Sequence, residues 1–343
     1  MTTLQRAGTG KAAGVADSAG NAGTSAEARG PAPGLPGRHA GLIPLSTTPG
    51  HLIRRAQQVH ERIWQQQVGP GLTSVQYALL LSLAARPGMD QRSIVEAISL
   101  DKSNVADVLR RLGKRGHLVE APHPDDGRRK VVRPTGSGVA TMLGASPAAI
   151  RVQQEVMAPL PPDAQSTCLT LLRLVAFRGS PPRRPPAGDA AEPVAGWPAG
   201  LPPLHLPTAP GHLIRRSQQV HTLLWSEHVG PRLTSMQFAV LMVLDVYPDI
   251  DQRTLGQHAS LDKSTGGNIL TRMVSRGLVR RTRDPEDGRR NLLQLTPPGR
   301  EALLQHESAV VRVQRELLTP LSGGQAEVFL SLMGKLARIS GQA

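Results

Sequence analysis

Apolar residues near the start of the chain recur at helical spacing. Leu52, Ala56, Val59 and Ile63, with Trp64 beside them, share one face, while Arg54, Arg55, Gln57, Gln58 and Glu61 lie elsewhere on the wheel, which predicts a helix over 49–68. Gly69 and Pro70 end it. Thr73 or Ser74, with Gln76 near the third helical position, then opens a second helix by a capping box. That helix, 77–85, is nearly all apolar and belongs at a domain centre. Arg86-Pro87-Gly88 breaks it, 90–98 reads as a short third helix, and 100–115 as a fourth, with Asp101 as its cap, Val105, Val108, Leu109 and Leu112 on one face, and Gly116 as a left-handed terminator. Beyond the stop, runs at 117–119 and 130–132 flank Asp126-Gly127, a hairpin signal. Two more helices follow, over 137–157 and 162–177.

The whole pattern then occurs again. Ser103 against Ser264 and Asp126 against Asp287 share an offset of 161 residues, and that offset holds without a gap from Pro49-Gly50-His51 to Pro159-Leu160. About two in five aligned positions are identical, so the chain is a tandem duplication of one domain and not a solenoid. The second copy predicts helices over 212–229, 234–246, 251–258 and 262–276, a hairpin over 278–295, and two closing helices. Gly136, Gly138, Gly144 and Pro147 make the helix over 137–157 poorer than its twin over 298–318. Pro134 stands where the second copy has Leu295, removing a donor and predicting a less regular first hairpin.

The domain organisation follows. Residues 1–46, rich in Ala, Gly, Ser and Thr, bury too little apolar surface to offset ordering entropy and predict a disordered tail. Residues 47–177 form domain 1 and 210–340 domain 2. Between them, 178–209 is a Pro-rich linker, semi-stiff at about 3.1 Å per residue where extended.

Composition sharpens the functional picture. A net charge of +14 and a pI near 11.2 imply a polyanionic partner, although arginine-rich, alanine-rich chains also come from GC-rich genomes. Cys168 is the single cysteine, so no internal disulfide forms and a reducing cytoplasm fits. Its counterpart is Phe329, which marks it as a small core residue. The chain shows no apolar run long enough to span a bilayer, and no paired carboxylates, nucleophile elbow or phosphate loop of an enzyme. The histidine pairs His51 with His60 and His221 with His228 lack the spacing of a helical zinc site, so neither a metal nor a cofactor is expected.

A helix whose first turn offers Lys102, Ser103 and Asn104, followed at once by a hairpin tipped with Arg128 and Arg129, outlines a winged helix-turn-helix. The fold class expected is therefore mainly α with small β-wings, as two winged helix-turn-helix domains in one chain. The two heads differ. Copy one presents Lys102, Ser103, Asn104, Asp107 and Arg111, and copy two Lys263, Ser264, Thr265, Asn268 and Arg272. Asn can contact adenine, Thr a thymine methyl, and Asp107 can accept only from a cytosine amine, so the operator should be an imperfect palindrome. Gly266-Gly267 inside the second reading helix either admits close backbone approach to DNA or marks a weaker head.

In copy one Leu72, Thr73, Gln76, Asp101, Lys102, Ser103, Gly116, Asp126, Arg128, Thr135 and Gly138, and in copy two Leu233, Thr234, Gln237, Asp262, Lys263, Ser264, Gly277, Asp287, Arg289, Leu295, Thr296 and Gly299, form an order that resembles the MarR family of winged-helix transcriptional regulators. The openings Gly50 to Arg55 and Gly211 to Arg216 look like the branch that controls breakdown of nicotinate and other aromatic acids. The resemblance implies a dimer with first and last helices intertwined, two reading helices in successive major grooves, and an effector cleft. Because two such subunits are joined here, one chain should act as a pseudo-dimer, with a homodimer of chains as the alternative.

Within the wing, Arg128 and Arg289 are expected in the minor groove and Arg129 and Arg290 on phosphates, with Asp126 and Asp287 orienting the guanidinium through a fork-like pair. An aromatic carboxylate needs a cation, a donor and an apolar wall. His51, Arg54, Arg55, Trp64 and Tyr77 offer these in copy one, and His212, Arg215, Arg216, Trp225 and Phe238 in copy two; solvation or dimer contacts explain the same residues. The function expected is a cytoplasmic, sequence-specific repressor on double-stranded DNA, released by a small aromatic acid. The alternatives are a nonspecific architectural DNA-binding protein, or a regulator whose ligand is not aromatic.

Overall fold

The computed structural model describes residues 44–98, 100, 102–123, 126–180 and 194–338, with side chains undescribed at 123 and 126–129. The first copy comprises α1 (Pro49–Gln67), α2 (Ser74–Ala85), β1 (Met89–Asp90), α3 (Gln91–Ile98), α4 (Lys102–Lys114), β2 (Leu118–His123), β3 (Asp126–Pro134), α5 (Gly136–Met157) and α6 (Pro162–Ala176). The second repeats it as α7 (Pro210–His228), α8 (Ser235–Val246), β4 (Ile250–Asp251), α9 (Gln252–Ala259), α10 (Lys263–Ser275), β5 (Val279–Arg283), β6 (Asn291–Leu295), α11 (Pro297–Leu318) and α12 (Gly323–Leu336). Each copy has a three-stranded antiparallel sheet, in the orders β1-β3-β2 and β4-β6-β5. Among the described residues no helix is long and apolar enough to cross a membrane.

Local chemistry sets the helix ends. The hydroxyl of Thr73 accepts from the Gln76 N–H at 3.2 Å while the Thr73 N–H donates to the Gln76 side chain at 3.0 Å, and Thr234 with Gln237 repeats this at the same distances. Each box satisfies donors that the first turn leaves orphaned. Asp262 caps α10 by accepting from the Thr265 N–H at 2.8 Å; its counterpart Asp101 lies outside the described residues. Gly116 and Gly277 adopt φ of +72° and +69° directly after the reading helices, the left-handed turn that favours glycine. Despite Pro147, α5 matches the 22-residue length of α11. The poorer sequence is overruled by packing of α5 on α1 and α2.

The first wing corrects two expectations. Asp126 pairs with His123, so Asp126-Gly127 lies within β3 and is not the turn; residues 124–125 lie outside the described residues. The first hairpin is the less regular of the two, as expected, but not at Pro134, which sits at the strand's end opposite Leu118. The irregularity is instead a register shift at Pro122/His123, and strand pairing in copy one extends further than in copy two. Expectations for the tail also shift. Residues 44–46 belong to the described fold, and Leu45–Thr47 form a 3-10 turn packed on α1; residues 1–43 lie outside the described chain. Of the linker, 181–193 lies outside too. The part from Val194 onward is docked, with Val194, Trp197, Leu204 and Leu206 half-buried against the core and the Trp197 indole donating to the Leu201 carbonyl at 3.2 Å.

One hydrophobic core runs through both copies. α1 packs on α7, α11 and α12, and α7 on α5 and α6, so the first helix of each copy lies against the closing helices of the other as well as against its own. Glycine permits this approach. A Cβ on Gly50 would overlap the His221 ring, and one on Gly211 the His60 ring. Neither α1 nor α7 has a side-chain cap of its own. Donors of their first turns are met across the seam: Gly50 N–H donates to Gln314 and Gly211 N–H to Gln153, both at 2.9 Å.

Candidate nucleic-acid interface and the cavity between the copies

Each reading helix is fixed at its C-terminal end. Arg115, just past α4, donates to the Gly71 carbonyl at 2.6 Å, and Arg276, just past α10, to that of Arg232 at 2.8 Å, tying each helix to the loop before the central helix. Lys102, Ser103, Asn104 and Arg111 are exposed on α4, as are Lys263, Ser264, Asn268 and Arg272 on α10, with Thr265 half-buried. Asp107 departs from the expected free acceptor, because Arg110 and Arg111 both pair with its carboxylate, the latter at 2.7 Å. Gly266 is buried, and a Cβ there would meet Leu261 at 3.6 Å. It occupies the place of the core residue Val105, whereas Gly267 is half-buried.

The second wing is more basic than its tip suggests. Arg280, Arg281 and Arg283 are exposed along β5, where copy one has Val119, Glu120 and Pro122. The sequence carries the signal as an arginine-rich strand directly after Gly277, which a reading of tip residues alone passes over. Arg289 is exposed, with no side-chain partner among the described residues. Asp287 does not orient it by a fork; its carboxylate accepts from the Arg289 backbone N–H at 3.0 Å, closing the turn. Arg290 is held by Asp251 at 3.0 Å and lies 3.7 Å from Asp284. It fastens the wing to the start of α9 and is not free to take a phosphate without giving up that pair. Burial pushes the Asp251 carboxyl up, but the Thr254 N–H and hydroxyl and the Arg290 charge bring it below its ordinary range. The side chains of Asp126, Arg128 and Arg129 lie outside the described residues.

A cavity opens between the copies, lined by His51 and Arg54 of α1 and by His221, Trp225, Phe238 and Gln314 of the second copy, among others. Its open volume is about 40 Å³, room for a few waters but not for an aromatic ring. The expected site within one copy is therefore corrected. Cations of one copy meet aromatics of the other, because α1 crosses the seam. Trp64 and Tyr77 pack on each other at 5.4 Å on the opposite side, and Trp225 packs on Phe238 at 5.8 Å. Both indoles spend their N–H on backbone carbonyls, Trp64 on Leu72 and Trp225 on Leu233, each at 2.7 Å, leaving an apolar wall. Sequence reasoning misses His221 and Gln314 as lining residues, since nothing in their local sequence shows which helix from the other copy covers them.

Arg54 is the mechanical centre of this cavity. Its guanidinium donates to the Ser260 carbonyl at 3.0 Å, to the Ala259 carbonyl at 2.9 Å and to His51 Nδ1 at 3.0 Å. Ser260, at φ +52°, is the left-handed cap ending α9, and Gln58 also donates to its carbonyl at 2.9 Å. Only two residues separate Ser260 from the reading helix α10. Burial, with Arg55 nearby, lowers the Arg54 pKa to about 10. Burial, then Arg54 and Arg55, lowers that of His51 to about 3, so the ring is neutral. Since arginine only donates, Nδ1 must accept, which places the proton on Nε2 and directs it to the Ser260 hydroxyl at 3.1 Å.

Arg55 and Arg216 do not line this cavity. Arg55 donates to the Ala337 carbonyl at 3.2 Å and Arg216 to that of Ala176 at 2.9 Å, each capping the C-terminus of the other copy's last helix, and Arg216 also lies 4.3 Å from the Phe177 ring centre. His212 and Arg215 face the pseudo-equivalent site on the Trp64 and Tyr77 side, with Arg215 donating to His212 Nδ1 at 3.2 Å. Among the described residues no three His, Cys, Asp or Glu side chains form a group able to hold a metal.

Two reading helices, each followed by a β-wing and joined through a common helical core, define a protein of the winged helix-turn-helix class. The MarR family profile matches residues 71–129 and 233–290, once in each copy. The chain belongs to the MarR family of transcriptional regulators, as a tandem member with two such domains. It is similar to the transcriptional regulator HosA of Escherichia coli, at 38% identity over 125 residues that cover 36% of this chain and 92% of that protein. It is also similar to the HTH-type transcriptional repressor NicR of Pseudomonas putida, at 33% over 138 residues, covering 38% and 87%. Among solved structures it resembles Bordetella bronchiseptica BpsR, whose DNA binding is regulated by 6-hydroxynicotinic acid, at 31% identity and a TM-score of 0.38, covering 39% of this chain and 96% of that one.

Proposed function

We propose that this regulator is a sequence-specific repressor in which one chain supplies both reading heads, and that a small aromatic acid in the cavity between the copies releases it from DNA. The observation that carries the reading is Arg54. A half-buried cation from one copy holds the carbonyls that end α9 of the other, immediately before the reading helix. A ligand carboxylate offers that guanidinium a charged partner in place of two neutral carbonyls. The apolar wall of Trp225, Phe238 and Met242 suits a ring, and the ligand named for BpsR is of this chemical class. Because the open volume is small, entry of a ring parts the walls and unseats α9, so ligand and operator compete for two states of one element.

The two heads differ in their exposed residues, which favours an operator with unlike half-sites, read by domains 47–177 and 210–340 of one pseudo-dimeric chain. The cytoplasm, where the operator lies, is the compartment this function requires. Titrating the DNA-bound full chain with a panel of aromatic acids tests release. No release by any carboxylate, with release by a neutral ligand, would overturn the aromatic-acid reading. Sedimentation showing only a stable dimer of chains at micromolar concentration would overturn the single-chain arrangement.

A further inference from the structure

Shifting the lining residues of the open cavity by one repeat gives a second set, His212 and Arg215 with His60, Trp64, Ser74 and Tyr77. The two are not alike. Glu61 carries a carboxylate beside His60, at 3.6 Å, and accepts from the Ser74 hydroxyl at 2.7 Å and from Gln57 at 2.8 Å. Ser74 is the counterpart of Ser235, a residue lining the open cavity. From the opposite wall Arg215, 7% exposed, attracts the same carboxylate; among the described residues its guanidinium bonds to His212 alone, leaving Nε without a partner. The Glu61 carboxylate, held by Ser74, thus lies in the field of a buried arginine, with its side chain 38% exposed. Tyr77, in place of Phe238, adds a hydroxyl 2.9 Å from Ser146. In the second copy the residue matching Glu61 is the shorter, uncharged Thr222, which does not line the open cavity and whose hydroxyl turns back to the Gln218 carbonyl at 2.9 Å.

We infer that Glu61 is a built-in carboxylate occupying the second effector position, so that the chain binds one aromatic acid instead of two and responds through the head tied to Arg54. This rests on the effector reading of the open cavity. The asymmetry has a direct consequence: ligand entry acts on α9 and α10 of the second copy alone.

Calorimetric titration of the full chain with 6-hydroxynicotinic acid and with benzoate counts the sites. One ligand per chain is expected for the natural sequence and two for Glu61→Thr, which installs the residue of the open copy, or for Glu61→Ala if the threonine variant does not fold. Two in the natural sequence, or one in each variant, overturns the inference and leaves the open cavity untouched. Arg54→Gln is expected to remove the single site of the natural chain; binding that survives it overturns the effector reading instead. If neither probe binds, acetate decides. An unbalanced Arg215 should take up this small carboxylate, raising the melting temperature of Glu61→Thr more than that of the natural chain, and equal shifts would overturn the inference.

Discussion

Replacing Arg54 by Gln should uncouple ligand from operator. The side chain makes two charge-assisted bonds to the carbonyls of Ala259 and Ser260 at 2.9 and 3.0 Å, each worth about 1.5–3 kcal/mol. It is only half-buried, so the lower end applies, and their joint loss sets a ceiling of roughly 3 kcal/mol on the coupling. At about 1.4 kcal/mol per tenfold, saturating ligand should weaken operator binding by up to about 100-fold. Anisotropy titrations of a duplex selected from random DNA, with and without ligand, measure this factor. Linkage requires the operator to weaken ligand binding equally. In Arg54→Gln the factor should fall to near one, while Arg55→Gln, one residue on but bonded to Ala337, should keep the response. Ligand-driven release of Arg54→Gln by about tenfold or more would refute the role given to this arginine.

Three further outcomes follow from the seam, the histidines and the wing. Gly50→Ala drives a methyl into the buried His221 ring and should cost about 1–3 kcal/mol. Gly113→Ala in α4, with nothing within 4 Å, should be neutral or stabilising, and thermal melts compare them. Burial lowers His51 and His212 from 6.5 to about 3, and His221 to about 4; the unfolded chain then binds the extra protons, so stability is whole above pH 6.5 and falls as pH drops toward 3–4. Each histidine contributes at most about 1.4 kcal/mol per pH unit in that window, and melts of His51→Gln between about pH 7 and 4 should show a shallower slope. Arg289→Ala should weaken operators with A/T-rich flanks most, whereas Arg290→Ala should loosen the wing on all sequences alike; footprints on flank variants separate the two.

Much of this architecture is legible in the residues themselves because it is local. Capping boxes at Thr73 and Thr234, the left-handed glycines Gly116 and Gly277, the helical period of α1 and the constant offset between copies each rest on short or fixed spacings along the chain. Sequence spacing suffices to state such things, and with them come the family, the fold class and the exposed residues of the reading helices. What spacing does not reveal is partnership across the seam. Arg54 and Arg55 are adjacent and identical in type, yet a helix turns about 100° per residue, so one enters a cavity of the other copy and the other caps its last helix. Glu61 lies in the field of Arg215, Gly50 needs Gln314 and the space beside His221, and Arg216 reaches Ala176, all because helices packed across the seam bring together groups far apart in the chain. Which copy's charge meets which copy's ring is settled by packing one continuous core, and only the folded chain decides that.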